Sequence, residues 1–232
     1  VIQGWMYHGN FAATVLRDLA LMRTPMLWSI HNTLKPAPQF PALTRLAYRM
    51  CRAMAFRPRF VVHVSQAATT QHAEAGFRVS NSVVIPNGTD CDRFAPSRAL
   101  RRDVRAELGL GDTDFVFGCL ARWAPMKGHA NLFQAIARLK QRGLRPHLLL
   151  AGTQMHSDNS ELNDLLRQAG IENDCSCIGE RHDVDRLIPA LDALVLPSIH
   201  SEAFPMVLGE AMACEVPCVA TDVGDARLLL GE

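Results

Sequence analysis

Glu202 and Glu210 stand with seven residues between them in Ser201-Glu202-Ala203-Phe204-Pro205-Met206-Val207-Leu208-Gly209-Glu210, and Arg122 and Lys127 stand close together in Arg122-Trp123-Ala124-Pro125-Met126-Lys127-Gly128. Two neighbouring cations suit the oxygens of a nucleoside diphosphate, and a carboxylate suits the paired hydroxyls of a ribose. Glutamates at this spacing are ordinary by themselves, since a solvated helix face and a loop charge give the same pattern. Their company raises them above that: an Arg and a Lys follow a different apolar segment.

Around these residues the chain spells out the elements that must position them. The apolar run from Leu191 to Pro197 is short and closed by proline, as a buried parallel strand would be. Pro205 suits a first helical position, and Val207, Leu208, Ala211 and Met212 recur at helical spacing. Glu202 is therefore expected in a loop at the carboxyl end of a strand, where open α/β sheets hold ligands, and Glu210 on the second turn of the next helix. The first N–H groups of that helix suit an anion. Phe115 to Ala121 predicts a strand ending just before Arg122, and His129 to Gln141 an amphipathic helix.

The same alternation runs along the whole chain. Helical spacing covers Phe11 to Met22, and Pro25 to Ile30 reads as a buried strand with His31 just after it. A histidine there would face a crevice, and an ordinary loop histidine is the competing reading; His8 is a weaker second candidate. Ala42 to Phe56 predicts a helix with Leu43, Leu46, Ala47, Met50 and Met54 on one side and Arg45, Arg49 and Arg52 on the other. Strands at 59–64 and 82–85 bracket a helix that Ser65 would cap. Further strands are expected at 147–151, 175–178 and 216–220, with helices near 100–108, 160–168 and 184–190. Alternating strands and helices without internal repeats define an α/β chain with doubly wound parallel sheets.

With 232 residues, 48% of them hydrophobic and 20% charged, the chain can carry two domains of about a hundred residues each. Residues 1–96 hold ten Lys/Arg against four Asp/Glu, and 97–232 hold fourteen against nineteen, a contrast that suggests two domains with different ligands. No acidic residue falls between Asp18 and Glu74, so this region suits an anionic partner, with a solvated helix flank as the competing reading. Seven cysteines without any Cys-x-x-Cys fit buried thiols in a reducing cytoplasm better than a disulfide frame or a zinc site. No basic segment precedes a long apolar one at the start, so no secretory leader is expected. No Gly-x-Gly-x-x-Gly follows a strand, which argues against a dinucleotide oxidoreductase.

A set of further residues makes the pattern specific: Pro86-Asn87-Gly88-Thr89-Asp90, Arg105-Ala106-Glu107-Leu108-Gly109, Arg122 with Lys127-Gly128, Ala151-Gly152, Ile178-Gly179 with Asp183, and Glu202-x7-Glu210 followed by Ala211-Met212-Ala213. Together they resemble the retaining GT-B glycosyltransferases of family 4, over about Trp5 to Asp225. The resemblance implies two Rossmann-like parallel-sheet domains, an acceptor-side one over 1–96 and a nucleotide-sugar donor one over 97–232. It implies that Arg122 and Lys127 bind the donor pyrophosphate, Glu210 the ribose, and Glu202 the transferred sugar or the charge developing on it. His31 would approach that sugar, Phe204, Pro205 and Met206 would line its binding loop, and the Gly179–Asp183 loop would lie beside the base.

Against the family pattern, the chain lacks the usual first βα unit and the closing helices, so the expectation is a fragment or reduced member whose amino-terminal sheet is incomplete. Glu215 stands where a glycine is usual, and Ser201 and Ala203 flank Glu202 where glycines are usual. The expected function is sugar transfer from a nucleoside diphosphate sugar to an acceptor hydroxyl, retaining, with no metal or other cofactor. The acceptor is expected to be anionic or lipid-linked, with no nucleic-acid partner. The location is expected to be cytoplasmic, with any membrane contact peripheral at the inner face. A non-catalytic nucleotide-sugar-binding module and a GT-B-fold nucleotide-sugar epimerase remain alternatives.

Overall fold

A computed structural model describes residues 1–34 and 40–231. Two parallel sheets organise it. The first has the order β1 (Ile2–Trp5), β2 (Met26–Ile30), β3 (Phe60–His63), β4 (Ser82–Val84). Its helices are α1 (Met6–Leu19), α2 (Ala42–Met54) and α3 (Gln66–Glu74). Its core gathers Tyr7, Trp28, Ile30, Cys51, Val61 and Phe77. Val1–Asn87 form one unit with two later segments, Ser201–Pro205 and Val223–Asp225. The rest of the described chain from Gly88 onward forms a second unit.

Helix α1 begins five residues earlier than apolar spacing predicts, because its buried face is Tyr7, Asn10 and Thr14. Polar groups there are satisfied internally: Trp28 Nε1 donates to Thr14 Oγ1 at 3.1 Å, and Asn10 exchanges side-chain bonds with both backbone groups of Ser29. The helix stops at Leu19 rather than Met22, since Leu21 takes φ +51°. Helix α2 also turns differently from expectation. Its buried residues are Ala47 and Cys51, whereas Leu43, Leu46 and Met50 are exposed beside Arg45, Arg49 and Arg52.

The second sheet has the order β7 (Cys175–Cys177), β6 (Pro146–Ala151), β5 (Phe115–Leu120), β8 (Ala193–Leu196), β9 (Cys218–Ala220), all parallel. One face packs Leu148 and Leu150 against α5 (His129–Gln141) and α6 (Ser160–Ala169). The other packs Val116, Leu149 and Leu194 against α8 (Met206–Ala213) and Ala226 of α9 (Ala226–Leu230). Burial on both faces explains the continuous apolar strands, such as Leu148-Leu149-Leu150. Helix α4 (Arg98–Glu107) precedes the sheet, and the predicted helix at 184–190 resolves into α7 (Val184–Leu187) and a 3-10 turn over Ile188–Ala190. Pro189 has no N–H for continuing the α pattern. Helix α8 begins at Met206, one residue after Pro205.

Three of the seven cysteines are buried and Cys91 is exposed. No helix among the described residues is long and apolar enough to cross a membrane. Glu215, in the turn after α8, takes φ +59°, the left-handed region that disfavours a side chain. Glu215→Gly should therefore raise stability by about 0.5 to 1 kcal/mol, the relief of left-handed strain less the added chain entropy of glycine. An unchanged urea midpoint would show the turn to be unstrained.

Candidate functional site

Strand order in the second sheet reverses at β5, with β6 and β7 on one side and β8 and β9 on the other. The carboxyl ends of β5 and β8 thus flank the position where doubly wound sheets hold ligands. Arg122 follows β5 after Ala121, its loop tied to the end of β6 and the loop beyond by Ala121 N–H to the Ala151 carbonyl and Trp123 N–H to the Thr153 carbonyl, both at 2.9 Å. The Arg122 guanidinium rests 3.8 Å from Met126 Sδ and pairs with no carboxylate among the described residues. Lys127 ends the 3-10 turn Pro125–Lys127, and Gly128 follows at φ +68°. A Cβ there would lie 2.0 Å from the Pro197 carbonyl oxygen, so Gly128 is required for the loop after β5 to meet the end of β8.

A cleft of about 300 Å³ opens at this edge, lined by Arg122, Gly152, Glu180, Arg181, Met206 and Glu210 among others. Met206 and Val207 bring the amino end of α8 to it. Burial pushes the Glu210 carboxyl above its ordinary value, and the charge of Arg93 pulls it partly back. Arg181 is locked: its Nε and Nη2 donate to Asp183 at 2.7 and 2.8 Å, and its Nη1 to Glu107 at 3.0 Å. Those bonds hold the Asp183 carboxyl well below the usual carboxylate range. Arg186 ties the same two acids and Arg93 holds Asp185, so charge pairs stiffen the loop rim around Gly179.

Arg122, Met206 and Glu210 are therefore brought together on one cleft. Gly179 adjoins it, donating to the Met155 carbonyl at 2.7 Å and accepting from Gly152 N–H at 2.8 Å. Lys127 stands in the neighbouring turn and does not line this cleft. Glu202, half-buried Phe204 and buried Pro205 belong to the first unit, with Ser201 before them at φ +67°. His31, also in the first unit, follows β2; its ring stacks on Trp5 with centroids 4.5 Å apart, and its Nε2 meets Ser29 Oγ at 2.7 Å. Burial lowers its pKa, keeping the ring neutral near pH 7. His8 is exposed on the first turn of α1.

Sequence reasoning missed Trp5, and within the Gly179–Asp183 loop that it expected beside the base it did not single out Glu180 and Arg181. The Ile178-Gly179 signal could have led to the last two, since they follow it directly. Trp5 lay in a strand too short to read from pattern.

A two-sheet α/β chain with a phosphate-suited cleft at the switch point of its second sheet is the GT-B class of protein. The model of the glycosyl transferases group 1 matches residues 101–231, and the chain belongs to that family. EpsF of Bacillus subtilis is 33% identical over 139 residues, covering 60% of this chain and 35% of the relative. The Escherichia coli UDP-Gal:α-D-GlcNAc-diphosphoundecaprenol α-1,3-galactosyltransferase is 28% identical over 152 residues, covering 63% and 38%. Among solved structures, HepE of Anabaena with UDP and glucose superposes with TM-score 0.84 at 27% identity, over 99% of this chain and 62% of that one. The chain thus spans little more than a third of these curated relatives.

Proposed function

We propose that this chain carries the donor-binding part of a retaining, metal-independent glycosyltransferase that moves a sugar from a nucleoside diphosphate sugar to an acceptor hydroxyl. The observation that carries the reading is the convergence of Arg122, Glu210 and the amino end of α8 on one cleft at the sheet's switch point. UDP in the HepE structure supports a uridine donor as the first to test. The departing group is a diphosphate, and Arg122, Lys127 and helix N–H groups meet its growing charge without a metal. Glu210 accepts hydrogen bonds from the ribose, and the loop from Gly179 lies beside the base. Glu202 favours the oxocarbenium-like charge of the transferred sugar, and His31, Phe204, Pro205 and Met206 are its further proposed sugar contacts.

Arg122→Ala and Lys127→Ala should each weaken UDP binding by about 1.5 to 3 kcal/mol, the range for hydrogen bonds to charged groups, and leave uridine binding nearly unchanged. Calorimetry with both ligands decides it; equal losses for UDP and uridine would remove the diphosphate from these side chains.

The acceptor is proposed to be anionic or lipid-linked, meeting the first unit at the exposed face of α2 with Arg45, Arg49 and Arg52. The diphosphoundecaprenol acceptor in the E. coli relative's name supports this choice. Acceptor binding should weaken as salt rises from about 50 to about 300 mM, because the Debye length shrinks, while donor binding changes less. A salt-insensitive acceptor, unaffected by joint replacement of the three arginines with glutamine, would leave them as a solvated face.

A further inference from the structure

Within the first unit, Asp225 links the segment that carries Glu202 to helix α3. Helix α3 starts at the carboxyl end of β3, and Ser65 Oγ accepts from Ala68 N–H at 3.0 Å as its local cap. Two earlier N–H groups, those of Gln66 and Ala67, donate to the two carboxylate oxygens of Asp225 at 2.7 and 2.9 Å. Asp225 lies 158 and 159 positions away in sequence and is 6% exposed. Its own backbone N–H donates to the Ala203 carbonyl at 3.0 Å. Just before it, Gly224 takes φ +57°, and a Cβ there would lie 2.5 Å from the Glu202 carbonyl oxygen and 2.8 Å from that of Ala203. The backbone of Val223–Asp225 therefore runs directly against that of Glu202–Ala203, and its carboxylate closes on the amino end of α3.

A cap alone would require neither arrangement. Ser65 already supplies the side-chain cap of α3, and a local residue could reach the remaining N–H groups. A carboxylate held by two N–H groups at a helix amino end is oriented by both bonds and by the helix dipole, so it transmits position. We infer that Asp225 is a positioning residue: it holds the Glu202 segment at the carboxyl edge of the first sheet, the edge at which His31 follows β2. The inference rests on the proposed role of Glu202 for its catalytic consequence and on the bonds above for the tether.

Asp225→Asn tests it in the full chain, because an amide keeps the size but offers one acceptor where two N–H groups need partners. Ser65→Ala is the control, since it removes a cap from the same helix without touching Glu202. Amide hydrogen exchange read by mass spectrometry should quicken at least about tenfold in peptides over 65–68 and 222–226 for Asp225→Asn. For Ser65→Ala it should quicken only in the first. UDP release from UDP-glucose at saturating donor should fall at least about tenfold in Asp225→Asn, with donor KM within about twofold and Ser65→Ala close to wild type. Unchanged exchange over 222–226, or identical exchange and kinetics in the two variants, would overturn the positioning role and leave Asp225 a helix cap. If Glu202→Gln itself leaves the rate unchanged, the reading of Glu202 fails, and the exchange comparison alone decides whether Asp225 holds the segment.

Discussion

Arg105→Ala should destabilise the second unit by about 3 to 5 kcal/mol, the cost of removing one partner from a buried ion pair. Arg105 is 2% exposed. Its Nη1 donates to the Ala190 carbonyl at 3.0 Å and to Asp192 at 3.3 Å, and its Nη2 to the carbonyls of Gly111 and Asp114 at 2.5 and 2.6 Å. Burial would raise the Asp192 carboxyl, but Val116 N–H, Arg101 and Arg105 together hold it below its ordinary value. The network therefore joins α4 to the amino ends of β5 and β8. Losing Arg105 removes a buried donor from three carbonyls, of which Ala190 keeps Arg101 and Gly111 keeps the Asp114 N–H, and it leaves the Asp192 carboxylate to Arg101 and the Val116 N–H. Arg105→Lys should recover little, since one ammonium cannot span acceptors arranged for a planar fork. Urea unfolding of both variants provides the measurement: a loss below about 1 kcal/mol, or full rescue by lysine, would make the pairing incidental. UDP affinity of the folded fraction should stay near wild type, because the site lies at the opposite end of these strands.

Glu202→Gln should lower the rate at saturating UDP-glucose by about a hundredfold or more, the usual size when one group that stabilises transition-state charge is lost. Glu210→Gln should instead weaken donor binding by roughly 1 kcal/mol, about one hydrogen bond, with the saturated rate largely kept. Glu210 also brings a pH dependence of its own. Burial raises the Glu210 carboxyl, so as pH falls this residue takes up its proton earlier than an exposed glutamate would. Donor affinity should accordingly drop on acidification at a higher pH than an ordinary carboxylate would give, and Glu210→Gln should flatten that drop. Single-turnover rates and calorimetry across pH separate the roles; the reverse assignment of rate and affinity would exchange the two residues.

Much of this architecture is local and therefore legible in the chain itself. Helix α5 runs over His129–Gln141 as its apolar spacing predicts, and β5 ends one residue short of the expected Ala121. Both elements are long, strongly patterned and bounded by clear breakers. Because a strand followed by a helix must carry its loop at one sheet edge, Arg122 and Glu210 could be assigned to the same edge before any contact was known. The resemblance, rather than spacing, marked Glu215: it stands where a glycine is usual, and it takes φ +59°.

Long-range pairing decided the rest. Strand β1 has only four residues and becomes a strand through its register with β2, Ile2 opposite Met26 and Trp5 opposite Ser29; that pairing also brings Trp5 to His31. The solvent face of α2 depended on what α1 and the first sheet could cover, and they covered Ala47 and Cys51 rather than Leu43, Leu46 and Met50. Spacing finds an apolar stripe but cannot say which flank of it meets the core. Arg105 and Asp225 are charged residues that no local pattern marks as buried, yet each is buried because its bonding partners arrive from distant segments, α4 against β8 and α3 against the segment after β9. A charge enters a low-dielectric interior only when such partners are already placed. Their placement is a property of the folded whole, and no window of neighbouring residues contains it.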